Sequence, residues 1–245
     1  MKILVCITHV PDTTSKISFT EDNTSFNQQG VQYIIGPYDD YALAKAVELK
    51  EKNGAEITVL NVGLSETEPS IRKALAIGAD KAIRINAEPT DSFFVAKEIA
   101  EIARKESFDL IMMGRESIDY NGGIVHGIVG ELLGMPSVSP VMTLTIEGDN
   151  ALMHKEIEGG KQLLEAKLPL VLGCQEPIAE WKIPNMRGIM SARKKPLEVL
   201  EPSATDKATH TTSFELPAPR SACKLVDAGN EEELVKLLKE EAKVL

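Results

Sequence analysis

Four short apolar runs, each followed by an amphipathic stretch, constrain the first half of this 245-residue chain more than any other feature. Residues 3–7 (ILVCI), 57–62 (ITVLNV), 82–85 (AIRI) and 110–113 (LIMM) are rich in aliphatic and β-branched side chains, so each reads as a buried strand. Between them, Ala42, Leu43, Ala46, Val47 and Leu49 follow helical spacing. So do Ile71, Ala74, Leu75 and Ile77, and then Phe94, Val95, Ile99, Ala100 and Ile102. Gly54 and Gly78 close the first two helices; Asp39 or Asp40, and later Asp91 or Ser92, are the expected N-caps. Strand and helix alternating through short links require an α/β fold: a doubly wound, mostly parallel sheet with helices on both faces.

Such sheets bind ligands beyond the carboxyl ends of their strands, where the strand order reverses. The loops expected there are residues 8–13, 36–39, 62–65 and 114–123, all rich in Gly, Pro, Asp, Ser or Thr. The last is the most suggestive. A buried strand ends at Gly114, a polar segment RESIDYNGG follows, and an apolar, glycine-spaced helix covers residues 124–133. That order brings backbone N–H groups and a positive helix end to a phosphate, although it matches neither G-x-G-x-x-G nor G-x-x-x-x-G-K-[ST].

Residues 17–31 read as a turn-rich β-hairpin excursion, and residues 138–146, 151–157, 162–165 and 170–173 as antiparallel ribbons added to the same sheet. From Cys174 onward periodicity is lost; residues 202–225 read as an extended arm and residues 231–244 as a terminal helix. The expected organisation is therefore an α/β domain with a candidate phosphate loop over residues 1–200 and an arm with its helix over residues 201–245.

A net charge of −10 with only 4% aromatic residues argues against a nucleic-acid binder. Cys6, Cys174 and Cys223 are odd in number and far apart, which specifies neither a disulfide framework nor a zinc site and suits a reducing cytoplasm. No apolar run has the length of a signal peptide's core or a membrane span. The four histidines lack metal spacing, and no Ser-His-Asp or Cys-His arrangement is legible.

Five segments together resemble the β-subunit family of electron transfer flavoprotein: KILVCITHVPDT, GPYDDYALAKAVELKE, IRKALAIGADKAIRI, DLIMMGRESID and EWKIPNMRGIMSARKKP. The resemblance implies an adenine nucleotide alpha hydrolase-like fold and a heterodimer whose larger α subunit is wrapped by this chain's arm. It implies an electron carrier rather than an enzyme, moving electrons from dehydrogenases to a quinone oxidoreductase or another acceptor, without membrane insertion. FAD is expected mainly in the α subunit near the boundary, and AMP in this chain; in electron-bifurcating members a second FAD takes the AMP position. Where the family often reads D-x-D-T-x-Q-V-G, this chain reads D-Y-N-G-G-I-V-H, which leaves more of the grip to backbone groups and favours AMP.

Carried over by resemblance, the nucleotide site comprises Cys6, Gly36, Pro37, Tyr38, Asp39, Val62, Gly114, Arg115, Asp119, Tyr120, Asn121, Gly122, Gly123, Ile124 and Val125. The phosphate is expected on the N–H groups of Gly122, Gly123, Ile124 and Val125. The family's partner-docking loop falls on Met186, Ile189 and Met190, with Met186 as the protruding residue. A flexible thioether suits an anchor that meets several partners.

Overall fold

The computed structural model describes residues 1–203, 207–219 and 222–245. In chain order its elements are β1 (Lys2–Cys6), β2 (His9–Pro11), β3 (Tyr33–Ile35), α1 (Pro37–Asn53), β4 (Glu56–Val62), α2 (Glu68–Ile77), β5 (Lys81–Ile85), α3 (Ser92–Lys105) and β6 (Leu110–Gly114). There follow α4 (Val125–Leu133), β7 (Ser137–Glu147), β8 (Asn150–Ile157), β9 (Gly160–Lys167), β10 (Leu170–Cys174), α5 (Met186–Ala192), β11 (Leu197–Leu200) and α6 (Glu231–Glu240).

One sheet runs in the order β11-β5-β4-β1-β6-β10-β7-β8-β9. Its pairs are parallel from β11 through β7, and antiparallel from β7 to β8 and from β8 to β9. Strand periodicity explains why both faces are covered. In β1, Ile3 and Val5 belong to the core beneath α1 and α2, while Leu4 and Cys6 belong to the core beneath α3 and α4. β6 divides in the same way, Leu110 and Met112 to the first core and Ile111 and Met113 to the second. Strands buried on both faces must be apolar throughout, and these are the runs that stood out in the sequence. The doubly wound α/β architecture is therefore as expected.

Four details differ from the sequence reading. α1 begins at Pro37 with Gly36 as its N-cap, so neither Asp39 nor Asp40 caps it. Proline lacks the N–H that a first helical position cannot use, and its fixed φ is already helical. β10 is not part of an antiparallel ribbon; it lies parallel between β6 and β7, in keeping with its uninterrupted burial. The excursion over residues 17–31 carries a single bridge, Phe19 to Phe26, while the antiparallel ladder pairs β2 with β3 on either side of it. β11, unread in the sequence, adds a parallel edge strand to β5.

By chain contacts the protein forms two compact units, Met1–Ile17 with Asn27–Thr212, and Ser18–Phe26 with Ser213–Leu245. In the second, Phe19 stacks on Phe214 with ring centroids 4.9 Å apart, and the Phe214 N–H donates to the Asn23 carbonyl at 2.8 Å. Its helix α6 buries none of its residues and leaves Leu234 and Val235 exposed.

Gly114, the last residue of β6, meets the first turn of α1 with no room to spare. A Cβ there would lie 2.6 Å from Tyr38 Cβ, 2.8 Å from Asp39 Oδ1 and 3.0 Å from the Asp39 nitrogen. Two of those three atoms belong to backbone or to a Cβ and cannot swing aside. Gly114→Ala is expected to lower unfolding stability by about 1–3 kcal/mol, the usual range for overpacking, as read from the urea midpoint.

Candidate functional site

The chain reverses its winding at β1. From β1 it steps to β4 and β5 on one side, then returns through α3 to β6 on the other. The crevice beyond the carboxyl ends of β1 and β6 is therefore the switch point. Asp39, 3% exposed in the first turn of α1, spans it. Its Oδ2 accepts from the Thr8 N–H at 2.8 Å and the Thr8 hydroxyl at 2.6 Å; its Oδ1 accepts from the Gly114 N–H at 2.7 Å. One carboxylate thus ties the chain leaving β1 to the end of β6. Burial pushes its pKa up to about 6, outweighing the hydrogen bonds from Thr8 and Gly114 that favour the ionised form.

A cavity of about 270 Å³ opens at this switch point. Of the residues expected at the nucleotide site, Cys6, Asp39, Val62, Gly114, Asp119, Tyr120, Gly122 and Val125 line it. The Cys6 thiol is pushed well up by burial and then by the Asp39 charge, so it is a small neutral wall residue. Gly36, Pro37, Tyr38, Arg115, Asn121, Gly123 and Ile124 stand outside the wall. Gly36 and Pro37 start α1, and Ile124 starts α4. Asn121 takes the left-handed conformation with φ of 49°, which asparagine tolerates better than most residues. Arg115 is occupied elsewhere. Its guanidinium lies 4.6 Å from the Tyr38 ring centroid, donates to the Tyr38 hydroxyl at 3.0 Å and to Gln175 Oε1 at 3.1 Å, and pairs with Glu116 at 3.2 Å.

The loop after β6 is held by its own polar groups. The Gly122 N–H donates to the Ser117 carbonyl at 3.2 Å, so that N–H is not open to a phosphate. Asp119 accepts from the Ser117 hydroxyl and from the Tyr120 N–H, an Asx-type brace. α4 then starts with no side-chain cap, which leaves the N–H groups of its first turn, Val125 and His126 among them, for an anion.

Charge in the wall is one-sided. Asp39, Asp91, Glu116 and Asp119 contribute carboxylates, and no Lys or Arg is among the described lining residues. The two lining histidines titrate below their ordinary range. Burial lowers His9, against the pull of Glu66, and burial lowers His126. His9 also stacks on Tyr33 at 4.6 Å and meets the Ser70 hydroxyl at 2.8 Å. An anion placed here would meet the peptide N–H groups that open α4 rather than a cation of the described wall. Sequence reasoning missed the wall made by Thr90, Asp91 and Ser92, which follow β5, and by Thr209 and Thr211. The first three were legible as one more strand-end loop; the last two carry no local signal.

Away from the cavity, Met186, Ile189 and Met190 are exposed on α5, whose N-cap Asn185 accepts from the Gly188 N–H at 2.8 Å. Two further apolar residues, unread in the sequence, stand out just before them. Ile183 is 75% exposed, as prominent as Met186 at 73%, and Trp181 is exposed while donating from Nε1 to Asp40 Oδ2 at 3.0 Å. Among the described residues no cluster could hold a metal ion, and no helix is long and apolar enough to cross a membrane.

Fold and crevice define an α/β protein of the doubly wound class with a small switch-point cavity. A family model described as the electron transfer flavoprotein domain matches residues 24–205. The chain is 35% identical over 259 residues to the electron transfer flavoprotein subunit beta of Bacillus subtilis (strain 168), covering 100% of both chains. It is 35% identical over 224 residues to that of Syntrophomonas wolfei, covering 91% of this chain and 88% of the relative. It is 30% identical over 248 residues to the human protein of that name, covering 98% and 97%. The chain belongs to the electron transfer flavoprotein β-subunit family.

Asp39 gives the site a pH signature. Its folded pKa of about 6 lies above the ordinary carboxylate value, so the folded state binds the proton more tightly than the unfolded chain does. Its contribution to stability is therefore largest below about pH 4 and is lost as pH rises through 6, by about 3 kcal/mol for a two-unit shift. In Asp39→Asn this component is absent. Urea unfolding of both proteins between pH 4 and 7 measures it, and parallel pH profiles would contradict the assignment.

Proposed function

We propose that this chain is the β subunit of a heterodimeric electron transfer flavoprotein. It binds AMP as a structural ligand in the switch-point cavity and pairs with an α subunit that holds the redox FAD near their boundary. Electrons pass from dehydrogenases to a quinone oxidoreductase or another acceptor. The flavin supplies the redox chemistry when bound; this chain supplies shape, the nucleotide-braced crevice and a docking loop. A cytoplasmic setting suits its three free cysteines.

The observation that carries the reading is the cavity itself. At about 270 Å³ it lies at the lower edge of ordinary ligand pockets, a size that suits a mononucleotide better than a dinucleotide. Its charge agrees. One phosphate can rest on the uncapped start of α4, whereas the pyrophosphate of FAD would add charge beside four carboxylates with no cation in the described wall. Arg115 and Tyr38 support the site from outside the cavity, by fixing the loop that follows β6. The test is a nucleotide count. Heat-denatured heterodimer should release one AMP and one FAD; two FAD and no AMP would replace this reading with the electron-bifurcating one.

For docking, Ile183 joins Met186, Ile189 and Met190 as the exposed apolar set. Buried apolar anchors dominate interface energies, so Ile183→Ala with Met186→Ala should slow electron acceptance from a dehydrogenase by about tenfold or more while leaving the released AMP unchanged. Transfer rates unaffected by the double substitution would remove these two residues as anchors.

A further inference from the structure

We propose that residues 208–211, at the start of the arm, are a wall of the nucleotide site, and that Thr90, Thr209 and Thr211 hold the uncharged, hydroxyl-bearing half of the ligand. The inference rests on the nucleotide reading above and names a part of the site that the strand-end loops do not contain.

Asp91 is the pivot. Its Oδ1 caps α3, accepting from the Phe93 and Phe94 N–H groups, each at 2.8 Å. Its Oδ2 faces the other way and accepts from the Ala208 N–H at 2.9 Å and the Thr209 N–H at 3.2 Å. Burial pushes the Asp91 pKa up, yet the four backbone donors outweigh it and hold the carboxyl below its usual range, so the pin stays charged at neutral pH. A second pin lies upstream, where buried Glu98 of α3 accepts from the Ser203 N–H at 3.0 Å and from its hydroxyl. The Asp91 pin fixes the segment where Thr209 and Thr211 join the cavity wall beside Thr90 and Ser92.

This end of the cavity has what a ligand needs and the fold does not. The Thr90 hydroxyl oxygen is buried and has no hydrogen-bond partner among the described residues. Leaving such a group unpaired costs about 1–3 kcal/mol, and rotation of the hydroxyl into the cavity that Thr90 lines would let a ligand hydroxyl or ring nitrogen recover it. The cavity is thus polar in two different ways. The N–H groups that open α4 suit a phosphate, and the hydroxyls of Thr90, Thr209 and Thr211 suit a ribose or a purine edge. Those two kinds of group match the two halves of a nucleotide bound at the switch point, with residues 208–211 beside it.

Two variants test this without disturbing the α3 cap. Thr90→Val keeps the side-chain shape and removes the unpaired hydroxyl. Ala208→Pro with Thr209→Pro removes both N–H donors to Asp91 and leaves Asp91 in place. Calorimetric titration of the full chain with AMP, adenosine and FAD should show AMP and adenosine binding to the wild type. Thr90→Val should weaken both by about fivefold to tenfold, and the double proline variant by about tenfold or more, the loss expected for hydrogen bonds at this site. Adenosine should suffer as much as AMP, because the lost contacts are at the nucleoside end. In the absence of ligand the thermal midpoint of Thr90→Val should be unchanged or raised, which a merely structural hydroxyl would not allow. Unchanged affinity in both variants, or a lowered unliganded midpoint for Thr90→Val, would overturn the wall. A wild type that takes FAD instead of AMP would overturn the AMP reading alone, with FAD then the probe of the wall. A wild type that binds none of the three would overturn both.

Discussion

A single buried carboxylate organises this molecule's working end. Asp39 accepts from Thr8 on one side of the switch point and from Gly114 on the other, so the open ends of β1 and β6 are held at a fixed separation. Several sequence choices exist to let it do so. Pro37 starts α1 early enough to bring the third helical residue over the crevice, and Gly114 omits the Cβ that would collide with Tyr38 and with Asp39 itself. The desolvation that lifts the Asp39 pKa to about 6 is the cost of placing a charge there. What it secures is a tie between the chain leaving β1 and the end of β6.

The turn that carries Asp39 also reaches the opposite function. Asp40, its neighbour, accepts from Trp181 Nε1 at 3.0 Å and pairs with Lys73 at 3.3 Å. Lys73 in turn lies 5.6 Å from the Trp181 ring centroid. Trp181, first of the exposed apolar residues that run to Met190, is thus moored to the first turn of α1, the same turn whose Asp39 spans the switch-point crevice. Two adjacent aspartates face different tasks because successive helical residues point about 100° apart. Electrostatics divides the molecule similarly. The cavity wall is acidic, while Arg115, in the loop between β6 and α4, is engaged by Tyr38, Gln175 and Glu116.

Much of this was readable from local pattern. Residues 68–77 were expected as a helix and are α2, because amphipathic spacing and a closing glycine are both local signals. Asp91 was expected as a cap and is one, through bonds to its immediate neighbours. The failures share a cause in contacts distant along the chain. β10 has a strand's composition, but its place between β6 and β7 depends on which partners are free once the sheet assembles. β11 is half-exposed at the sheet edge and so lacks the apolar run that marks the central strands. At the site, the strand-end loops could be found from the sequence, whereas Thr209 and Thr211 line the cavity from a segment held by the Ala208 and Thr209 N–H groups, donors that any residue but proline would supply. Asp119, carried over as a site residue, braces its loop through Ser117 and Tyr120 and also lines the cavity.

The central claim is that the crevice spanned by Asp39 is the nucleotide site of this chain. The direct measurement is a backbone amide NMR titration of the full chain with AMP. The largest shifts should fall on the first turn of α4, at Val125 and His126, with a second set at Thr8 and Gly114 where the Asp39 bonds report the crevice. Shifts confined to the region around Tyr38, Arg115 and Gln175, or no shifts at saturating AMP, would contradict it.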